Sequence, residues 1–456
     1  MAMQPVLNQR PARRYQGLKL LNTLWDTTFT LWVTMLVSSM AVLINIGVIS
    51  QNAPQTLYAL GLFLPLNYVM IAIHEGLRIP ALRYSSQHHR EARKVLGTRL
   101  VVLFSAVVVL MALLVGCVWL LQSGIAGLFH IAAERQNNVM AFILPMLLAG
   151  IPIGCATLIL STLFGSGLNR FASLLGISGT ALNLVVTWLA AIHWHQGLQS
   201  LIWGALIGSS YLTLSGGALL YSHGIRLSLT GIRREAVQVL NDIAFIGAPV
   251  AGSFLLLFGF LFSFNYLVSF YGASEIAGFG IAFRIQSFVI LPAIALGTAM
   301  AIHANNAIAD QNFSRIRQIL FTGVGLSAAL YLVISVLVFL LQERLVMLFT
   351  RDETVIAPAL RYLNCVAPSY LSLGVVLVLM TAQEQTGQGL RILLINIVFY
   401  ALEIGIAALL GLNHVDATRL YLVIAIMNWL SALYVVYELN KRLAPQVRLP
   451  PREMQS

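Results

Sequence analysis

Glu403 lies in the middle of the apolar run NIVFYALEIGIAALLG, and the nearest basic residue, Arg391, is too far back to reach it along a helix. A charged side chain at bilayer depth costs about 2.5–3.5 kcal/mol, so such groups usually face a cavity and work there. Glu403 is therefore a candidate site for a proton or a coupling cation. His74, Glu75 and Arg78 cluster in IAIHEGLRIP. Glu75 and Arg78 are three residues apart, which places them on one helix face where they can pair. They are candidates either for a cavity wall meeting a polar or zwitterionic substrate or for a self-satisfied ion pair. Arg284 and Gln286, in GIAFRIQSF, could meet an anionic group or tie neighbouring helices together. Asp26 and Asp242 stand at the start of the first and seventh apolar runs, where an acid suits the positive end of a helix dipole or could form an inner gate. His193 and His195 flank Trp194. HxH spacing can bind metal, but beside a tryptophan it fits the interfacial belt better, so no metal is expected.

The elements that must position these groups are membrane helices. Charged residues make up 9% of the 456 residues, against about 25% in a soluble domain, and mean hydropathy is +0.84. Apolar runs long enough to cross a bilayer fall near 24–50, 56–83, 95–122, 138–163, 170–194, 198–222, 239–271, 276–304, 315–341, 356–383, 390–412 and 416–440. The expected class is an all-α polytopic membrane protein of twelve transmembrane helices in two pseudo-symmetric six-helix bundles. The bundles are residues 1–222 and 239–456, joined by a cytoplasmic linker at 223–238 that mixes arginines and leucines.

Charge placement supports an even number of spans. With the N-terminus inside, most of the 27 basic residues fall in inner segments, among them Arg10, Arg13, Arg14, Arg90, Arg93, Lys94, Arg233, Arg234, Arg448 and Arg452. The outer segments carry only Arg135, Arg344, Arg351, Arg361 and Arg419. This is the positive-inside bias, with both termini cytoplasmic and the first run read as a retained span after a basic tail. The formal charge of +11 is then a topological and lipid-headgroup signal and calls for no nucleic acid. Cys117, Cys155 and Cys365 have unrelated spacings and read as small core residues. No GxxxxGK[ST] motif is present, so transport would draw on a gradient rather than on nucleotide hydrolysis.

The spans are laid out twice. Ala59–Leu77 is echoed by Gly278–Leu296, and Phe164–Leu175 by Gln385–Asn396, both at an offset of about 220 residues. Two repeated halves around a cavity is a transporter plan. The polar content is not duplicated: Glu403 falls opposite Leu182, and Glu75 opposite Ile294.

The stretch AGFGIAFRIQSFVILPAIALGTAMAIHANNAIADQNFSRIRQIL resembles the eighth-span signature of the multidrug and toxic compound extrusion (MATE) transporters. IGAPVAGSF resembles that family's start of span seven, and TGQGLR its turn before span eleven. The resemblance implies two six-helix lobes enclosing a cavity that opens alternately to each side, with export driven by inward proton or sodium flow. Three acids common in the family are missing. Asn45 stands at the first-span aspartate, Leu257 at the span-seven glutamate, and no acid occurs from Ser369 to Gln383. Glu403 and Glu75 are the replacements that residue type and depth allow.

The expected function is a secondary active exporter of small organic molecules in the cytoplasmic membrane, by proton antiport and as a monomer. Its partners are substrate, coupling proton or sodium, and lipid; no cofactor and no enzyme activity are expected. The substrate and cation site is expected at Glu403, Glu75, Arg78, Asn45, Arg284 and Gln286. The alternatives are export of a siderophore or other anionic metabolite and flipping of a lipid-linked precursor. The flippase is disfavoured because only Arg78 and Arg284 bring basic charge into the spans.

Overall fold

A computed structural model describes residues 10–52, 57–87, 90–124, 133–412 and 416–443. Arg448 and Arg452 of the inner-side charge pattern lie outside these residues. Among the described residues there is no strand, and twelve long helices follow one another. They are α1 (Arg10–Asn52), α2 (Leu57–Ser85), α3 (Arg90–Leu120), α4 (Ala133–Gly165), α5 (Asn169–Ile192), α6 (Gln199–Ser222), α7 (Ile232–Ser269), α8 (Ala273–Ala309), α9 (Phe313–Met347), α10 (Glu353–Val366 and Tyr370–Gln383, joined by a 3-10 turn), α11 (Gly389–Leu412) and α12 (Ala417–Leu443). Each apolar run expected from the sequence is the core of one helix. By length and hydropathy alone ten segments qualify as spans, because α10 and α11 run together as Glu353–Leu410 and the Gly/Ser-rich α6 falls short.

The helices extend well beyond their apolar cores, and this corrects the reading of two acids. Asp26 is sixteen residues into α1 and Asp242 ten residues into α7. Neither sits in a first turn, so neither stabilises a helix start. Caps lie elsewhere: the Asn312 side chain accepts from Arg315 N at 3.0 Å and the Asp352 side chain from Thr354 N at 2.9 Å, each satisfying an orphan donor of the first turn.

The chain divides into two compact units. One comprises Thr30–Phe258 with Glu384–Leu393; the other comprises Met1–Phe29, Gly259–Gln383 and Leu394–Ser456. In the first, α2 packs on α3 and α4, and α4 packs on α6; in the second, α8 packs on α9 and α10, and α10 on α12. The same partners recur six helices later, so the duplication seen in the sequence is also a duplication of packing.

Close helix crossings rest on small residues, as expected where lipid supplies no hydrophobic drive between helices. A Cβ on Gly208 of α6 would sit 2.9 Å from the Gly179 carbonyl of α5, and one on Gly76 of α2 would sit 2.8 Å from the Gly247 carbonyl of α7. Gly247 closes a π-turn, Ile243–Gly247, two residues before Pro249. A second π-turn, Glu384–Gln388, separates α10 from α11 and contains Gly387 at φ 103°, a left-handed conformation that glycine adopts without steric cost.

The core of the second unit holds four fully buried tyrosines, Tyr331, Tyr362, Tyr370 and Tyr421. Tyr331 of α9 inserts its hydroxyl into the backbone ladder of α8: Ala293 N donates to it at 2.9 Å, and it donates to Val289 O at 2.6 Å. These are the two groups an unbroken helix would join directly, and Pro292 lies between them. The hydroxyl splints the turn that the proline disturbs. Its ring occupies the space over Gly374 of α10, where any Cβ would collide with it.

Candidate functional site

Five helices of the Thr30–Phe258 unit, α1, α2, α4, α5 and α6, line a cavity of about 690 Å³ that is open on one side. Pocket volumes of about 300–1,000 Å³ are usual for drug-sized ligands. The wall is mostly aliphatic and aromatic, with Phe63, Met70, Ile153 and Leu160 prominent. Amides and hydroxyls interrupt it: Asn45, Asn67, Thr157, Asn183 and Ser209. Among the described residues no carboxylate, lysine or arginine lines it. Among the described residues His74 is the only ionisable side chain in its lining.

The amides are positioned by the helix crossings. The closeness of α6 to α5 at Gly204 and Gly208 packs Gly208 against Asn183. Asn45 of α1 then donates from Nδ2 to Asn183 Oδ1 at 3.0 Å, while its own Oδ1 is buried without a partner. His74 is 6% exposed, and its Nε2 is likewise buried without a partner. Its ring lies over Gly154 of α4, where a Cβ would sit 2.9 Å from Nε2. Asn45 and His74 both line the cavity, and each keeps one buried polar atom that the protein leaves unbonded, an arrangement native structures avoid unless water or a ligand completes it.

Glu75 and Arg78, which follow His74 on α2, do not line this cavity. Arg78 Nη2 lies 2.6 Å from Glu75 Oε2, and its Nε donates to the same oxygen at 2.7 Å. The spacing of three foretold this pair, and its charges cancel locally. Nearby, Ser253 Oγ of α7 donates to Glu384 Oε1 at 2.8 Å, and Glu384 senses the field of Glu75. Glu384, in the turn between α10 and α11, is an acid that the sequence did not single out. It sits one residue beyond Ser369–Gln383, and the π-turn brings it against Ser253 of α7.

Asp242 accepts a hydrogen bond from Tyr84 Oη at 2.5 Å. The guanidinium of Arg99 lies 4.6 Å above the Tyr84 ring and is 2.7 Å from Glu235. These groups tie α2, α3 and the start of α7 together. Asp26 belongs to the other unit and is exposed.

In that second unit Glu403 of α11 is 7% exposed, and no basic side chain among the described residues forms an ion pair with it. Tyr362 lies within its electrostatic reach and donates to Gln286 Oε1. Tyr421 donates to Glu275 at 2.9 Å, and Arg361 stands 3.4 Å from the same carboxylate and 3.7 Å from Asp416. The Thr418 hydroxyl, 2.7 Å from Asp416, holds that carboxyl below its usual range. Arg284 is exposed on α8 and lines no cavity described here, whereas Gln286 faces the tyrosines. The expected site residues therefore separate into four places: Asn45 at the cavity, Glu75 paired with Arg78 on α2, Glu403 and Gln286 in the core of the other unit, and Arg284 exposed on α8.

The MatE family model matches residues 249–409. A probable multidrug resistance protein of Bacillus subtilis, YoeA, is 24% identical over 238 residues, 52% of this chain and 48% of that one. The multidrug export protein MepA of Staphylococcus aureus is 28% identical over 213 residues, covering 45% and 46%. The chain thus spans about half the length of the curated relatives it matches. The MATE transporter VcmN of Vibrio cholerae in its bent form shares the fold over 94% of this chain and 98% of its own, at a TM-score of 0.85 and 17% identity. The chain is therefore similar to MATE transporters in sequence over part of its length and shares their fold over nearly all of it.

Proposed function

We propose that this protein is a secondary active exporter of small organic molecules that works by alternating access and proton antiport, as a monomer in the cytoplasmic membrane with both ends inside. The observation that carries this reading is a ligand-sized cavity lined by membrane helices in a chain that matches the MatE family model over residues 249–409. Glu403 is the proposed protonation site. Its burial without a basic partner favours a neutral acid that ionises only when cargo or a proton is exchanged, whereas Glu75 already has Arg78 as its counter-charge. Neither Arg78 nor Arg284 lines the cavity, which weighs against a pyrophosphate-holding flippase site.

Vesicles containing the full chain, with imposed proton or sodium gradients, test the reading. Uptake of a small organic probe should follow the proton gradient and ignore sodium. Glu403→Gln should abolish the proton dependence. Unchanged transport and unchanged pH dependence in Glu403→Gln would remove the role given to that residue.

A further inference from the structure

We infer that the cavity of the Thr30–Phe258 unit takes uncharged amphipathic molecules carrying hydrogen-bonding groups, and excludes organic cations. The inference deepens the export reading, since it names the occupant's chemical class, and it can fail separately from it.

A permanently charged molecule entering this cavity would leave its hydration shell and meet no opposite charge. Among the described residues its lining has no carboxylate for a cation and no lysine or arginine for an anion. Desolvating an unpaired charge is the most expensive step a binding site can demand. Asn45 brings a neutral amide to the α1 wall. The polar equipment that remains is neutral. Asn45 Oδ1 and His74 Nε2 are both buried and both without a protein partner, and they lie on two different walls, α1 and α2. The amides and hydroxyls of the lining, Asn45, Asn67, Thr157, Asn183 and Ser209, reward a ligand that brings its own hydroxyl or amide groups. The apolar wall between them, including Phe63 and Met70, takes the rest of such a molecule. The charged groups nearest His74 on its own helix, Glu75 and Arg78, are engaged with each other. From the facing helix α4 the imidazole meets Gly154, and beside it Val107 of α3.

The test is equilibrium dialysis of the detergent-purified full chain with two radiolabelled probes. Chloramphenicol is uncharged and carries two hydroxyls and an amide; tetraphenylphosphonium is a monocation of comparable bulk. The native chain should bind chloramphenicol at least tenfold more tightly than tetraphenylphosphonium. Asn45→Asp should raise tetraphenylphosphonium affinity at least tenfold and weaken chloramphenicol. Asn183→Asp, which places a carboxylate on the α5 wall, should do the same and guards against a folding defect in one variant. Binding of the cation as tight as that of the neutral probe, binding of neither, or no gain of cation affinity in either folded variant would each overturn the inference. If chloramphenicol binds as expected but nothing is transported in vesicles under any gradient, the export reading falls and the site class stands.

Discussion

Two fully buried tyrosines in the same helix bundle should respond in opposite ways to loss of one oxygen. Tyr331 uses its hydroxyl twice, accepting from Ala293 N and donating to Val289 O. Tyr370 is equally buried, but its hydroxyl has no partner. Hydrogen bonds between membrane helices average about 0.6 kcal/mol and reach about 1.7 kcal/mol. Losing both at Tyr331 therefore costs about 1–3 kcal/mol. The lower end applies if the α8 backbone closes directly across Pro292, and the upper end if Ala293 N and Val289 O stay apart. At Tyr370 the oxygen satisfies nothing, and a buried unpaired hydroxyl costs about 1–3 kcal/mol to hold, so Tyr370→Phe should be neutral or stabilising. The assay is SDS-induced unfolding in mixed micelles, followed by tryptophan fluorescence. Tyr331→Phe should unfold at lower SDS and Tyr370→Phe at equal or higher SDS than the native chain. Equal losses for both, or no loss for Tyr331→Phe, would refute the assignment of the splint.

Two further perturbations probe the Thr30–Phe258 unit by the same unfolding assay. Gly247→Ala would drive its methyl into the Gly76 carbonyl, a backbone atom that cannot turn aside; overpacking of this kind costs about 1–3 kcal/mol. Adding Gly76→Ala should cost less than the sum of the single effects, because both methyls widen the same crossing. Arg99→Met leaves Glu235, 8% exposed, without its counter-charge and should cost about 3–5 kcal/mol. Arg99→Met with Glu235→Leu should recover most of that loss.

The twelve helices were legible because each carries an apolar run that only a membrane can accommodate, and the Glu75–Arg78 pair was legible because three residues of helix fix its geometry. Which way a residue faces was not. In a soluble helix the apolar stripe marks the buried side, but here lipid and protein interior are equally apolar, so nothing in GIAFRIQSF says that Arg284 is exposed while Gln286 meets Tyr362. Asn183 escaped notice because an asparagine in a helix is unremarkable until another amide, 138 residues away in sequence, is brought against it. The roles of Asp26 and Asp242 were misread because hydropathy marks where the apolar core starts, whereas the helices begin earlier, in polar sequence. Glu384 depends on a π-turn, which has no clear signature in composition.

A cavity wall without net charge also has an electrical consequence. When a monovalent cation leaves in exchange for one entering proton, no net charge crosses the membrane, and the potential neither helps nor hinders. When the outgoing molecule is uncharged, each turnover carries the whole charge of its proton inward. The cycle is then electrogenic. A potential of 100 mV contributes about 2.3 kcal/mol per proton, enough to sustain a roughly fiftyfold gradient of cargo with no difference in pH at all. The current across a membrane containing this protein would then count protons directly, and the ratio of current to cargo flux would give the stoichiometry.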